Sequence, residues 1–242
     1  MRILTNARLA GRNRRIAQYM FFVSLGVPMA GLLLINMDMK SPTALLFSSI
    51  LPFIVLPLAY VVMIVSIRMT NLWVREPRPE AAIQAGLKGI SNKSVLYNYI
   101  FMPVRHVLIT PQGVFSMTTR FQEGMFACHG STWTSNRRGT ARLMTLLRMD
   151  SIGNPTADAL KAKAKIEDLL KEIAPGVTVQ PLIVFVDPKV GFEAIDPEVP
   201  VLHAVNKDLP NLKDYLQSVA SEKLPTLTAE QIEAFERAYI PR

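Results

Sequence analysis

Two long apolar segments constrain this chain more than any other feature of its sequence. They span residues 17–35 and 44–67, contain no charged residue and are separated by a short polar loop. A bilayer core needs about 20 apolar residues at a rise of about 1.5 Å each, and both segments supply that length. Because an unpaired peptide group in hydrocarbon costs several kcal/mol, a spanning segment must be helical. The sequence therefore predicts a transmembrane helical hairpin over residues 17–67.

Basic residues lie on both sides of the predicted hairpin and are scarce in its loop. Residues 1–16 carry five arginines and no acid, further arginines follow the second segment, and the loop holds only Asp38 and Lys40. The positive-inside rule therefore predicts a cytoplasmic (inner) membrane crossed twice, with the N-terminus and the C-terminal part of the chain on the cytoplasmic side. The net charge of +8 follows from this orientation bias, and it also fits an anionic membrane surface or a nucleic acid.

A second basic and apolar segment covers residues 134–151 with near-helical spacing. That pattern is typical of a segment lying on a membrane surface, and equally of a loop or helix on its own domain. Together with the arginines that flank the hairpin and an interfacial tryptophan, it predicts a set of residues in contact with membrane lipids. The set is Arg12, Arg14, Arg15, Arg68, Trp73, Arg75, Arg137, Arg138 and Arg142.

Two small residues, Gly26 and Ala30, are four positions apart in the first apolar segment, and Gly31 adjoins them. Small residues at this spacing let two helix backbones approach closely. They predict either packing between the two helices of the hairpin or docking on a partner, which would be another integral membrane protein or a second copy of this chain.

The chain is predicted to have four parts: a basic tail at 1–16, the hairpin at 17–67, a proline-containing linker at 68–79 and a soluble domain at 80–242. Within the soluble domain the patterns run in the order helix, meander of strands, helix, two strands and helix. This order predicts a small mixed-sheet α/β domain. The single cysteine, Cys128, excludes an internal disulfide framework.

Turn and capping residues locate the elements of that domain. Pro111 and Gly113 predict a turn between strands at 104–110 and 114–120, and the meander is predicted to continue at 125–129. Asn154 before Pro155 predicts the start of a helix, and the apolar run 177–186 predicts a central strand. Thr228 and Gln231 have the spacing of a capping box at the start of the last helix.

The run VRHVLITPQGVFSMTTR at 104–120 resembles the core of the nuclease-related domain (NERD), a branch of the restriction-endonuclease-like fold. Weaker similarity extends to Trp133 after Gly130, to the helix start at Asn154, and to the segments PLIVFVDP and VPVLHA, so that it covers about 85–220. The resemblance implies a restriction-endonuclease-like domain attached to the hairpin.

The resemblance also implies a site with an aspartate on the first strand of this hairpin and Glu-x-Lys on the second. Two such carboxylates hold Mg²⁺, which activates water and stabilises the charge on phosphate. In this chain those positions are Arg105, Thr118 and Arg120. Arg105 would repel a cation, and an arginine side chain stays protonated and cannot act as a base. The site is therefore predicted to be degenerate, with no metal, no cofactor and no catalytic residue.

Other candidate side chains do not restore a site. Glu123 and Asp150 lack the required spacing, and His106, His129 and His203 are scattered in the sequence, as expected for structural residues.

These observations leave three hypotheses about function. The first is a non-catalytic scaffold, an accessory subunit of a membrane complex. The second is a membrane-tethered nucleic-acid-binding module, less favoured, and the third is an active nuclease that uses displaced acids.

Overall fold

We describe the fold from a computed structural model, which defines residues 1–35, 42–136, 145, 151–222 and 224–240. The described part of the chain forms a helical unit, Arg8–Glu76, and an α/β unit made of Met1–Ala7 and the described residues from Pro77 onward. The helices are α1 (Ala7–Ile35), α2 (Pro42–Trp73), α3 (Pro79–Gly86), α4 (Pro155–Leu170), α5 (Leu212–Val219) and α6 (Ala229–Tyr239). The strands are β1 (Arg2–Thr5), β2 (Val95–Asn98), β3 (His106–Thr110), β4 (Gly113–Arg120), β5 (Gly124–His129), β6 (Thr132–Ser135), β7 (Val179–Phe185), β8 (Val190–Ile195) and β9 (Val201–His203).

The two helices of the helical unit are longer than the apolar segments that predict them. α1 already begins at Ala7, and α2 continues to Trp73, because neither basic flank contains a proline that would stop a helix. The predicted linker at 68–79 is therefore wrong in its first half, where the chain is still helical. Arg14 Nε donates a hydrogen bond to the Trp73 carbonyl at 3.1 Å, which satisfies a backbone acceptor at the end of α2. Both helices are long and apolar enough to cross a membrane.

Close packing within the helical unit involves Gly31, which directly follows Ala30. A Cβ atom added to Gly31 would lie 2.4 Å from Val55 Cγ1, so α1 approaches α2 closely at this glycine. Gly26 is exposed with no atom within 4 Å of such a Cβ, and Ala30 is exposed as well. The reading of Gly26 and Ala30 as packing residues within the hairpin is therefore wrong, and docking on a partner remains the prediction for that face.

The α/β unit contains a six-stranded mixed sheet in the order β1-β2-β3-β4-β7-β9. β2, β3 and β4 are antiparallel neighbours, as the predicted meander requires, whereas β1, β7 and β9 each pair in parallel. A second sheet has the order β6-β5-β8. The prediction that 125–129 continues the first meander is wrong, because the chain turns at Gly124, which has a φ of 114°, and enters the second sheet. The α/β class is confirmed.

Helices cover both faces of the larger sheet and build its two core clusters. On one face α3 and α5 pack against Leu96, Leu108 and Phe115, and on the other α4 and α6 pack against Tyr97, Val107 and Val179. Successive residues of β2 and β3 alternate between the two faces, as the pleat of a strand requires. The result is a three-layer α/β/α domain.

The N-terminal segment is part of this domain, which corrects the prediction of a basic tail over 1–16. β1 pairs in parallel with β2, and Asn98 Nδ2 donates to Thr5 Oγ1 at 3.1 Å. Arg2 forms an ion pair with Glu236 of α6, which also accepts a hydrogen bond of 2.7 Å from the Tyr97 hydroxyl. The chain therefore leaves the domain after β1, forms α1 and α2, and returns to the same domain at α3.

Candidate functional site

A cavity of about 280 Å³ opens at the carboxyl end of β4, where α4 passes on its way to the parallel strand β7. Its walls come from the segment before β3, from the end of β4 and from the first two turns of α4. The lining residues are Pro103, Val104, Arg105, Met117, Thr118, Thr119, Arg120, Asp158, Lys161 and Ala162. Ligands in α/β proteins commonly bind at the carboxyl ends of parallel strands, so this cavity is the candidate functional site.

The three positions to which the resemblance drew attention all line this cavity. Arg105 lies just before β3, and Thr118 and Arg120 lie near the end of β4, which pairs with β3. Two further charged residues, Asp158 and Lys161, were missed from the sequence. They lie three positions apart in α4, and the only signal of their role is that this helix connects two strands that become neighbours in the sheet.

Arg120 is held in place by backbone and carboxylate acceptors. Its Nη2 donates to Asp158 Oδ2 at 2.5 Å, and its Nη1 donates to the Thr119 carbonyl at 3.3 Å. Its Nε is buried with no hydrogen-bond acceptor among the described residues. Burial lowers the pKa of the Arg120 guanidinium, and the hydrogen bond and charge of Asp158 act in the opposite direction. This charge is thus only partly compensated by the protein.

Arg105 contributes a second guanidinium to the cavity. Burial lowers its pKa, the Tyr99 hydroxyl opposes that shift, and the positive charge of Arg120 lowers it further. No side chain of the described residues accepts a hydrogen bond from its guanidinium. The effect of Arg120 on the pKa of Arg105 indicates that two positive charges lie close together in this cavity. Such an arrangement favours the binding of an anion.

Lys161 adds a third positive charge at the rim. It is exposed, and among the described residues no acid forms an ion pair with it. The next lysines along α4 differ, because Lys163 is 3.9 Å from Glu167 and Lys165 is 3.6 Å from Asp168. The cavity therefore holds three cations against one carboxylate.

No family model, curated protein or solved structure matches this chain. The chemistry of the site must therefore be judged from its own side chains. Within the described residues no group of three His, Cys, Asp or Glu side chains is placed to hold a metal ion. A hard divalent cation needs several oxygen ligands, and the single carboxylate in this cavity already accepts from Arg120. Glu123 does not line the cavity, and Asp150 lies outside the described residues.

The predicted membrane-surface residues fall into two groups. Arg12, Arg14 and Arg15 lie on α1, Arg68 and Trp73 lie on α2, and Arg75 follows α2 directly. Of the arginines, Arg12, Arg15 and Arg68 are exposed. Arg137, Arg138 and Arg142 lie outside the described residues. Of the segment 134–151 the structure describes only residues 134–136, Thr145 and Ser151, so the prediction for this segment stays a prediction.

Two of the three histidines are buried parts of the scaffold. His203 accepts hydrogen bonds at Nδ1 from the amides of Val205 and Asn206, while its Nε2 lies 3.1 Å from the Asp187 carbonyl and donates to it. His106 is fully buried directly after Arg105, and its Nδ1 lies 2.8 Å from Asn98 Oδ1. Its Nε2 has no partner among the described residues. His129, at the end of β5, is exposed.

Burial of His106 has a consequence for the pH dependence of stability. Desolvation, with a smaller contribution from the Arg105 charge, lowers its pKa from 6.5 to about 3. Between these values the unfolded chain takes up a proton that the folded chain does not, so the stability falls as the pH falls. Between pH 7 and pH 5 we expect this residue to remove about 2 kcal/mol of unfolding free energy.

The measurement is thermal unfolding of the full chain at both pH values, for the wild type and for His106→Gln. The variant should lose less stability than the wild type between pH 7 and pH 5. The matched control is His129→Gln, which alters no buried group. Equal losses in the wild type and in His106→Gln would show that His106 does not stay neutral in the folded state.

Proposed function

We propose that this chain is a membrane-anchored interaction protein, an accessory subunit of a membrane complex, whose nuclease-like domain does not catalyse hydrolysis. The observation that carries the proposal is the cavity at the end of β4. This cavity is lined by Arg105, Thr118 and Arg120, which stand at the positions where the resemblance would require two metal-binding carboxylates and a lysine.

Metal-dependent hydrolysis of a phosphodiester needs a bound cation to activate water and to stabilise charge. At this site the cation would lie beside two guanidinium groups, and Asp158, the one carboxylate among the described lining residues, already accepts a hydrogen bond from Arg120. Neither arginine offers a base, because the guanidinium stays protonated. The charges therefore oppose both binding of the metal and removal of a proton from water.

The two long helices support attachment to a membrane. Only 11% and 17% of the residues in their most apolar windows are buried, whereas a core helix of a soluble protein is mostly buried. The helical unit is inserted between β1 and α3 of one folded domain. Two spans would place both of its ends on one side of the membrane, which is compatible with the attachment of both ends to that domain. The flanking arginines favour the cytoplasmic side.

The mixed sheet, with α4 joining the parallel strands β4 and β7, is compatible with the restriction-endonuclease-like fold that the sequence resembles.

A second candidate function is nucleic-acid binding, favoured by the three cations of the cavity. Nucleic-acid binding would be distinguished from the first proposal by an affinity for DNA that falls steeply as the salt concentration rises, since each phosphate contact releases counterions.

The test uses the full chain extracted from its native membranes in a mild detergent. We expect it to purify with another membrane protein, or with a second copy of itself after crosslinking, and to leave plasmid DNA intact in Mg²⁺ and in Mn²⁺. Asp158→Asn, which removes the only carboxylate of the cavity, should behave like the wild type in the DNA assay. A monomer without partners would contradict the proposed interaction, and metal-dependent cleavage that Asp158→Asn abolishes would contradict the proposed lack of hydrolysis.

A further inference from the structure

We infer that the cavity formed by Arg105, Arg120, Lys161 and Asp158 is a binding site for one phosphate-type oxyanion, either inorganic phosphate or the terminal phosphate of a monoester. The inference rests on the proposed absence of metal-dependent hydrolysis, since a bound metal would change the charge of the site. It goes beyond that proposal by naming the ligand and the residues that recognise it.

The charges of the cavity match a compact anion. Arg105 and Arg120 both face the cavity, and the Nε of Arg120 is a buried donor with no acceptor among the described residues. A tetrahedral oxyanion accepts hydrogen bonds in several directions, so one phosphate group can bind two guanidinium groups at once. An anion would also relieve the repulsion that lowers the pKa of Arg105.

Size and surroundings favour a single phosphate over a nucleic-acid strand. A volume of about 280 Å³ lies at the lower end of the range for small-molecule sites. Beyond Lys161 the positive charge on α4 is neutralised, because Lys163 and Lys165 pair with Glu167 and Asp168. A strand that follows a groove needs a continuous row of cations, which this helix does not provide.

Asp158 competes with the ligand in this arrangement. Its side chain is 53% exposed, and it accepts from Arg120, whose side chain is only 13% exposed. When an oxyanion enters, it replaces the carboxylate as the partner of Arg120, and Asp158 can turn to solvent. The hydrogen bond with Asp158 thus keeps Arg120 paired and lowers the affinity of the site for the ligand. Removal of this carboxylate should strengthen binding.

The experiment titrates inorganic phosphate into the full chain in detergent, with EDTA present, and follows binding by calorimetry. We expect saturable binding of one phosphate per chain. Arg105→Gln should weaken it about tenfold or more, because a charge-assisted hydrogen bond is lost, and Lys161→Gln should weaken it about threefold. Lys165→Gln is the matched control on the same helix and should leave the affinity unchanged. Asp158→Asn should tighten binding about threefold or more, a gain that a misfolded variant cannot produce.

Three further ligands identify the source of the phosphate. Tighter binding of glycerol 3-phosphate than of inorganic phosphate would support a soluble monoester, and preferential binding to bilayers with phosphatidate over phosphatidylcholine would support a lipid headgroup. The third ligand is an oligonucleotide without terminal phosphates. The inference would be overturned in favour of a polyanion-binding surface if this oligonucleotide bound with a steep salt dependence and inorganic phosphate did not compete with it. Absence of phosphate binding up to about 10 mM, or equal affinities of the wild type, Arg105→Gln and Asp158→Asn, would also overturn it. Because these titrations contain EDTA, their failure is separate from any result of the DNA cleavage assay.

Discussion

Phe185→Ala should lower the thermal unfolding midpoint of the α/β unit by about 10 °C, corresponding to about 3–5 kcal/mol. Phe185 is fully buried at the end of β7, in the larger sheet. Its ring stacks on Phe126 at 5.6 Å and on Phe192 at 5.4 Å, which are paired residues of β5 and β8 in the smaller sheet. Loss of the ring would leave a cavity where the two sheets pack against each other.

The matched control for this variant is Ile195→Ala, at the end of β8, where the side chain is 43% exposed. It should cost less than about 1 kcal/mol, because an exposed side chain buries little apolar surface on folding. Near-ultraviolet circular dichroism of the full chain in detergent follows the aromatic cluster directly. A shift for Phe185→Ala no larger than that of Ile195→Ala would mean that the ring stack does not join the sheets.

Gly86→Ala should destabilise the same unit by about 3 kcal/mol. Gly86 ends α3, and a Cβ atom there would lie 1.9 Å from the carbonyl oxygen of Ala204 and 3.0 Å from its carbonyl carbon. The obstacle is backbone that follows β9, so it cannot move away as a flexible side chain would. Relief requires α3 to shift, and that shift separates Ile83 and Leu87 from the core cluster that they share with α5.

Gly11→Ala provides the control for the chemistry of this substitution. Gly11 is also helical, but no atom lies within 4 Å of an added Cβ. Alanine is the better helix former by about 0.5–1 kcal/mol, so this variant should be as stable as the wild type or slightly more stable. The comparison is made by thermal unfolding of both variants. Equal stability of Gly86→Ala and Gly11→Ala would contradict the close approach of α3 to the chain after β9.

Local signals in the sequence predicted several elements well. The capping box of Thr228 and Gln231 is confirmed, and so is the cap at Asn154, whose side chain accepts from the Ala157 amide. The turn at Pro111–Gly113 joins β3 and β4 as predicted. The apolar segments predicted two long helices, since their length and composition depend on no other part of the chain. All these signals act over a few residues or within one helix.

What the sequence did not predict depends on contacts between distant residues. β1 has only four residues, and it exists because β2, more than 90 positions later, offers it an edge to pair with. β8 was not predicted, and β5 was assigned to the wrong sheet, because their mutual pairing has no local signature. Likewise the small residues at 26, 30 and 31 did not reveal which of them approaches the second helix. Gly31 does so and Gly26 does not, which depends on the rotation of each helix about its axis.

The residues of the site likewise fall into those that the sequence indicated and those that depend on contacts between distant residues. The resemblance drew attention to Arg105, Thr118 and Arg120, and they come together because Arg105 directly precedes β3 and the other two lie near the end of β4, its antiparallel partner. Asp158 and Lys161 reach the cavity only because α4 crosses between β4 and β7. Without Asp158 the cavity would contain three cations and no carboxylate. With Asp158 it contains an ion pair between Arg120 and Asp158, in which a ligand must replace the carboxylate. The proposed selectivity for an anion depends on the three cations, and the ion pair lowers the affinity for that anion.

We propose that this cavity accepts an anion and not a divalent cation. The most direct measurement is the phosphate affinity of the full chain in EDTA and again in excess Mn²⁺, for the wild type and for Asp158→Asn. We predict the same dissociation constant with and without Mn²⁺ for each protein, and tighter binding for Asp158→Asn in both conditions. Phosphate binding that requires Mn²⁺ and disappears in Asp158→Asn would show that the carboxylate holds a metal, and would contradict the claim.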